Sequence, residues 1–156
     1  ADWEDKGIRD YVKKLMGRLV FLQFVQKKGW LGDNANYLRK LFNSSPCQED
    51  FLDKVLEPLF FGIFNTQKES RREIFHNEGW DLALLDEWQS VPFLSGGLFE
   101  RDKHDVPASR FPKEYFKELF DFFARYNFTI DEKILAQTFF RFKKFCTFKI
   151  VHVTNL

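Results

Sequence analysis

The chain has 156 residues, of which 44% are hydrophobic and 19% aromatic, and its formal net charge is +1. This length fits one domain with a packed core, and the balanced charge excludes the strongly basic composition typical of dedicated nucleic-acid-binding domains. The acidic N-terminus shows no signal peptide and no stretch is apolar enough to span a bilayer, while the two cysteines, Cys47 and Cys146, fit a reducing compartment, so we expect a cytoplasmic protein without a membrane partner.

Apolar residues at three- and four-residue steps predict a first helix from Lys6 to Lys28. Its apolar face is formed by Ile8, Val12, Leu15, Leu19 and Leu22. From Leu19 to Val25 the helix is apolar on nearly all sides, so its second half should be deeply buried. Gly29 supplies a left-handed residue to end it, and a short helix over Ala35–Phe42 follows.

Residues typical of a helix N-terminus precede the next predicted helix. Ser45 can cap a helix and Pro46 is tolerated in its first turn, which predicts a helix carrying the apolar residues from Phe51 to Phe64. Pro58 lies inside that helix and should kink it. Thr66 and Glu69 have the spacing of a second capping box, which opens a charged turn.

The stretch from residue 75 to 107 is the least regular, with a short amphipathic helix predicted over Trp80–Trp88. An apolar loop follows from Val91 to Glu100. We expect this loop to be well ordered, with Gly96 and Gly97 permitting backbone angles closed to other residues. The side chains expected to pin it are Phe93, Leu94, Leu98 and Phe99.

A further helix begins after Pro112 and should end by Asn127, and Asp131 can cap a last helix. Alternation from Phe148 to Val153 predicts a short strand. The fold class is therefore mainly α, a single compact multi-helix domain over residues 1–156 with one or two short strands near the C-terminus. Its predicted core contains Leu15, Leu19, Leu22, Val55, Leu59, Phe116, Leu119 and Phe120.

The 21 phenylalanines are more than a small core is expected to hide. Large rings dominate the energetics of cores and interfaces. Some of them should therefore form a surface that meets another part of a larger protein.

No catalytic set is recognisable in the chain. A DNA adenine methyltransferase needs a loop of the Asn-Pro-Pro-Tyr type to grip the flipped base, and Ser44-Ser45-Pro46-Cys47 lacks both the second proline and the aromatic residue. Glu4-Asp5-Lys6 has the letters of a nuclease motif that holds Mg²⁺, but it lacks an upstream strand and is better explained as a solvated helix start.

Cofactor and metal signals are equally weak. Gly96-Gly97 stands alone between apolar residues, unlike a phosphate-binding turn. His76, His104 and His152 are not at metal-ligand spacing with either cysteine. The sequence therefore predicts no catalytic, cofactor-binding or metal residue in this chain.

Basic clusters are the remaining candidates for a functional site. The residues that could contact DNA phosphates are Lys27, Lys28, Arg71, Arg72, Arg141, Lys143, Lys144 and Lys149. The last four are interleaved with phenylalanines, and basic residues beside rings can hold phosphates and stack bases. The alternative is an amphipathic helix whose rings pack inward and whose lysines are solvated.

Four strings in order resemble one protein family. They are Gly17–Leu31, Glu49–Phe61 with Asn65-Thr66, Val91–Glu100 with its Pro-Phe-Leu-Ser-Gly-Gly-Leu-Phe loop, and Phe111–Glu132. Together they resemble the helical region that precedes the methyltransferase domain of bacterial type IIG-like restriction–modification enzymes and related phage-defence DNA methyltransferases. The match covers most of residues 15–132, whereas 133–156 form an atypical tail.

The resemblance implies a non-catalytic scaffold or DNA-contacting segment, a fragment of a larger restriction enzyme and DNA methyltransferase. In that family S-adenosylmethionine and Mg²⁺ belong to other domains, so no cofactor is expected in this chain. The implied partners are those other domains and, weakly, double-stranded DNA. A free-standing helical protein-interaction module is the alternative function, and a small enzyme with an unrecognised site is a third.

Overall fold

The structure is a computed structural model that describes residues 2–32, 34–94, 96–101, 103, 105, 111–129 and 152–155. The α-helices in this part of the chain are α1 (Asp2–Lys27), α2 (Tyr37–Ser44), α3 (Arg71–Glu78), α4 (Leu82–Glu87) and α5 (Lys113–Ala124). Short 3₁₀ turns lie at Gln48–Asp50 and Lys68–Ser70, and two π-helical stretches, Leu52–Leu56 and Pro58–Phe64, lie between α2 and α3. The prediction of a mainly α, single compact domain is confirmed.

Two short strands pair antiparallel near the C-terminus. Strand β1 is Tyr126–Thr129 and strand β2 is His152–Asn155, with Tyr126 opposite Asn155. The sequence predicted a strand at Phe148–Val153, and its last two residues fall in β2. The predicted helix after Asp131 lies outside the described residues.

Helix α1 is buried in its second half, whereas most of residues 6–14 are exposed. Gly29 has a φ of 75° just after the helix, as predicted from its position. Leu15, Leu19 and Leu22 are at most 1% exposed. Ile8 and Val12, on the same apolar face, are 56% and 38% exposed, because periodicity marks an apolar face without showing that another element covers it.

The helical stretch after α2 is wound more widely than an α-helix. The amide of Glu57 donates to the carbonyl of Leu52, and that of Asn65 donates to Phe60 at 3.1 Å, both five residues back. In α-helical winding the ring of Pro58 would meet the carbonyl four residues before it, and the wider turn relieves that clash. The expected kink in an α-helix is thus replaced by π-helical winding.

The core is built around this π-helical stretch, because all seven residues of Pro58–Phe64 are buried. The ring of Phe99 stacks on Phe64 at 4.8 Å between centroids and meets Phe21 edge-on at 5.6 Å. A second ring cluster joins α2 to α5 through Phe42, Phe51, Phe116 and Phe120. The predicted core is confirmed, with Leu119 partly buried and the other seven residues buried.

Local capping differs from the predicted pattern. The Thr66 hydroxyl donates to the carbonyl of Phe61 at 2.6 Å instead of capping the next turn. The Ser45 hydroxyl accepts from the amide of Cys47 at 3.1 Å, and the helix that follows begins only after a 3₁₀ turn. The side chain of Asp81 caps α4 by accepting from the amide of Ala83 at 2.9 Å.

A polar contact joins α2 to the end of α4. The indole of Trp88, which is buried, donates to the Tyr37 hydroxyl at 2.7 Å, and that hydroxyl donates to Glu87. Burial and the neighbouring Glu87 carboxylate raise the pKa of Tyr37. The hydroxyl therefore stays protonated, as its bond to Glu87 requires.

Candidate functional site

A buried arginine on α1 ties down the second half of the predicted loop. The Arg18 guanidinium binds both carboxylate oxygens of Asp105, at 2.7 Å and 3.0 Å. It also donates to the carbonyls of Leu98 at 2.8 Å and Glu100 at 3.0 Å. Arg18 is 1% exposed, so its charge is compensated inside the protein and is not available at the surface.

A second buried arginine holds the start of the same loop. The Arg71 guanidinium donates to the carbonyls of Ile63 at 3.1 Å and Val91 at 2.9 Å, with longer bonds to those of Thr66 and Gln89. Burial lowers the pKa of Arg71, since charge is costly away from water. Arg71 is 2% exposed, so it does not reach the surface, where a DNA phosphate would bind.

Between these two anchors the loop is held by its backbone and its apolar side chains. The amide of Leu94 donates to the carbonyl of Phe64 at 2.8 Å. Leu94, Leu98 and Phe99 are buried and Phe93 is partly buried, as expected of side chains that pin the loop. Both glycines were expected to adopt backbone angles closed to other residues, and this was wrong for Gly97, whose φ is not positive. Gly96 has a φ of 158°, which is close to extended backbone.

Charged groups gather beside this loop around one aromatic ring. Phe61 contacts two guanidiniums. The Cζ atom of Arg101 lies 4.5 Å and that of Arg18 lies 5.0 Å from the centroid of the Phe61 ring. Arg101 also lies over Trp80 at 5.6 Å and pairs with Glu78 at 3.3 Å. Stacking of this kind holds both cations in place against the π-helical stretch.

The half-buried carboxyl of Glu57 lies in the same cluster. Burial, followed by the nearby charge of Asp53, raises the pKa of Glu57 to about 7, and Arg101 partly opposes this. The charged groups that shift this pKa are three carboxylates, those of Asp53, Asp105 and Glu78, and the guanidinium of Arg101. Within the described residues no group of three or more His, Cys, Asp or Glu side chains could hold a metal ion.

The residues predicted to contact DNA phosphates differ in exposure and in whether the structure describes them. Lys27 and Lys28 are exposed at the end of α1, and partial burial lowers the pKa of Lys27. Arg72 is exposed and lies 3.8 Å from Asp86. The remaining candidates, Arg141, Lys143, Lys144 and Lys149, lie outside the described residues, so a common DNA-contacting set stays a prediction.

An open groove of about 560 Å³ lies between α1 and α5. Its lining residues are Met16, Phe111, Tyr115, Glu118, Leu119, Asp121, Phe122 and Arg125. Tyr115 is 58% and Phe122 45% exposed at its edge. That some rings form a surface that meets another part of a larger protein stays a prediction.

Sequence reasoning missed the charged cluster. A signal existed for Arg18, which is the one charged residue in the apolar run from Leu15 to Val25 and so had to find a buried partner. No comparable signal pointed to Asp105, because 87 positions separate it from Arg18. Glu57 and Arg101 likewise meet only through the fold.

No protein-family model matches the sequence, and no solved structure matches the chain. A candidate type II restriction enzyme and methyltransferase of Methanocaldococcus jannaschii is 27% identical over 121 residues. This similarity relates the chain to restriction–modification proteins. The match covers 74% of the chain but 10% of the relative, so the chain spans about a tenth of that protein's length. No described helix is both long enough and apolar enough to cross a bilayer.

Proposed function

We propose that the chain is a non-catalytic helical scaffold and DNA-contacting segment of a DNA restriction–modification enzyme that acts in phage defence. The observation that carries this proposal is the similarity to the restriction enzyme and methyltransferase, which extends over 74% of the chain and a small part of the relative. A segment of that size is consistent with a region that joins larger catalytic domains.

The use of polar groups supports a scaffold role. Arg18 and Arg71 are committed to buried bonds with backbone carbonyls, and the carboxylate of Asp105 is committed to Arg18. Active-site groups have to face a substrate, whereas these groups bind other groups of the protein itself. S-adenosylmethionine and Mg²⁺ would then be bound by other domains of the parent enzyme, which are also the main partners.

A direct assay tests the non-catalytic role. The purified chain is incubated with duplex DNA and Mg²⁺, and separately with duplex DNA and labelled S-adenosylmethionine. We expect neither cleavage nor methyl transfer. Mg²⁺-dependent cleavage that disappears in Glu4→Ala or Lys6→Ala would overturn the proposal.

DNA contact by the isolated chain should be weak and non-specific. With a net charge of +1, long-range attraction to DNA is small. We expect a dissociation constant on the order of 10⁻⁴ to 10⁻⁶ M that rises steeply with salt. The contacts would come from the exposed Lys27, Lys28 and Arg72, and from the basic residues between Arg141 and Lys149.

Fluorescence anisotropy at two salt concentrations measures this binding. Two double variants should weaken binding to all DNA sequences alike and flatten the salt dependence of binding. They are Lys27→Ala with Lys28→Ala and Lys143→Ala with Lys144→Ala. The matched control, Lys40→Ala with Lys68→Ala, removes the same charge from other positions and should bind like the wild type. If no binding is measurable even at low salt, the lysines are merely solvated and the DNA-contacting role fails.

The groove between α1 and α5 favours a second candidate, a helical protein-interaction module. Partly exposed rings beside polar residues are typical of surfaces that bind another protein. Coding sequence for a nuclease and a methyltransferase next to this segment would favour the first function. A chain encoded without such neighbours would favour the second.

A further inference from the structure

The outward face of α5 carries a stripe of apolar and charged residues that is complementary to itself. Tyr115, Glu118, Phe122 and Arg125 follow one another at steps of three and four residues, so they lie on one side of the helix. Phe116, Phe120 and Phe123 are buried on the opposite side. The stripe therefore faces away from the core.

The two charges on this stripe are opposite and lie two helical turns apart. Seven residues separate Glu118 from Arg125, which is about 10.5 Å along the helix axis. Asp121 is already paired with Arg39 at 2.7 Å. Glu118 makes no ion pair with any residue that the structure describes.

We propose that α5 mediates self-association of the chain, with a second copy of α5 packed antiparallel across the groove. In the register that places Glu118 opposite Arg125 of the second copy, the two-fold axis passes between positions 121 and 122. The two Phe122 rings then meet at the axis, with one Glu118–Arg125 pair on each side. An interface of this kind is isologous, since each copy supplies the same residues.

The exposed area indicates a weak dimer. An aromatic side chain presents roughly 200 Å², so Tyr115 and Phe122, at 58% and 45% exposure, offer roughly 200 Å² between them. Ile8 and Val12 are also exposed, and they share one face of α1 with Met16, which lines the groove, because the three residues lie four positions apart. Stable complexes bury about 800 Å² per partner, so we expect the dimer to form only at high protein concentration.

Sedimentation velocity from about 5 µM to about 500 µM tests the proposal. The wild-type chain should shift from monomer towards dimer across this range. Glu118→Arg alone and Arg125→Glu alone place like charges together, and each should weaken association at least tenfold. Combining both changes exchanges the charges and should restore dimer formation.

Controls separate this interface from general effects. Lys117→Glu reverses an exposed charge on α5 away from the stripe and should leave association unchanged, while circular dichroism checks that every variant is folded. Phe122→Ser should abolish the dimer without loss of helix signal. A wild-type chain that stays monomeric throughout, or single charge reversals without effect, or a double variant that stays monomeric, would each overturn the proposal.

Discussion

The two halves of α1 lie in contrasting surroundings. Around Arg18 the helix packs against the π-helical stretch and the loop after Val91. All three guanidinium nitrogens of Arg18 donate hydrogen bonds to groups of the protein itself. Around Ile8 and Val12 the same helix is open to solvent. The comparison teaches that similar apolar spacing can serve a packed core in one half and an exposed surface in the other.

The largest expected effect comes from breaking the buried ion pair. Arg18→Met should destabilise the chain by about 3–5 kcal/mol, because it leaves the charge of Asp105 buried without its partner. Chemical denaturation monitored by circular dichroism measures the loss. The double variant Arg18→Met with Asp105→Asn should recover part of it, and a single variant as stable as wild type would show that this half is not held by the pair.

Close packing at Gly62 gives the next largest effect. A Cβ atom there would lie 2.4 Å from Cε2 of Phe75 and 2.8 Å from Cζ3 of Trp80, so Gly62→Ala should cost about 2 kcal/mol. Gly17 on α1 is the matched control, because its Cβ would lie 3.7 Å from Leu98 in ordinary contact. Gly17→Ala should stabilise the helix by about 0.5 kcal/mol, and equal melting temperatures for both variants would contradict the packing argument.

Substitution of Glu57 should have a smaller effect on the free energy of unfolding, and this effect should depend on pH. Its pKa is raised to about 7 in the folded chain, so the folded state holds this proton more tightly than the unfolded chain. Stability should therefore fall as the pH rises from about 4.5 to about 7. After discounting for solvent screening, Glu57→Gln should stabilise by about 1 kcal/mol at pH 8.

Thermal unfolding at two pH values measures this difference. The melting temperature of Glu57→Gln should exceed that of wild type by about 2–4 °C at pH 8, with the gap closing near pH 4.5. The exposed Glu114→Gln on α5 serves as a control without a gap at either pH. A constant difference at both pH values would assign the effect to something other than titration of Glu57.

The smallest effect on stability is expected on the exposed face of α5. Phe122 is 45% exposed, so Phe122→Ser should change the stability of the dilute chain by no more than about 1 kcal/mol. Denaturation at about 2 µM protein, below the expected dimer range, isolates this effect. A loss comparable to that of Arg18→Met would place Phe122 in the core and remove the contrast between the two regions.

Much of the fold follows from local patterns in the sequence. The end of α1 just before Gly29, the core leucines of α1 and the start of α5 after Pro112 all follow from apolar periodicity and from glycine and proline positions. The π-helical winding around Pro58 did not, because proline signals a disturbed helix without fixing how the chain relieves it. The exposure of Ile8 and Val12 depends on which element lies opposite, which spacing cannot show.

The candidate site was less accessible to sequence reasoning. Basic clusters such as Arg71-Arg72 suggest surface charge, yet Arg71 turns inward to carbonyls while Arg72 stays exposed. Neighbouring residues on a helix face different directions, so the same local composition can serve the core and the surface. The partnership of Arg18 with Asp105 depends on long-range chain contacts and could not be predicted from spacing.

The arginine anchors of the loop also bear on how the sequence can diverge. Arg18 and Arg71 bind carbonyls at Leu98, Glu100 and Val91, and every amino acid supplies a carbonyl. The path of the loop thus depends on two side chains outside it more than on its own polar residues. Outward positions such as Glu100 should accept substitutions freely during evolution, whereas a change at either arginine would need a compensating one elsewhere.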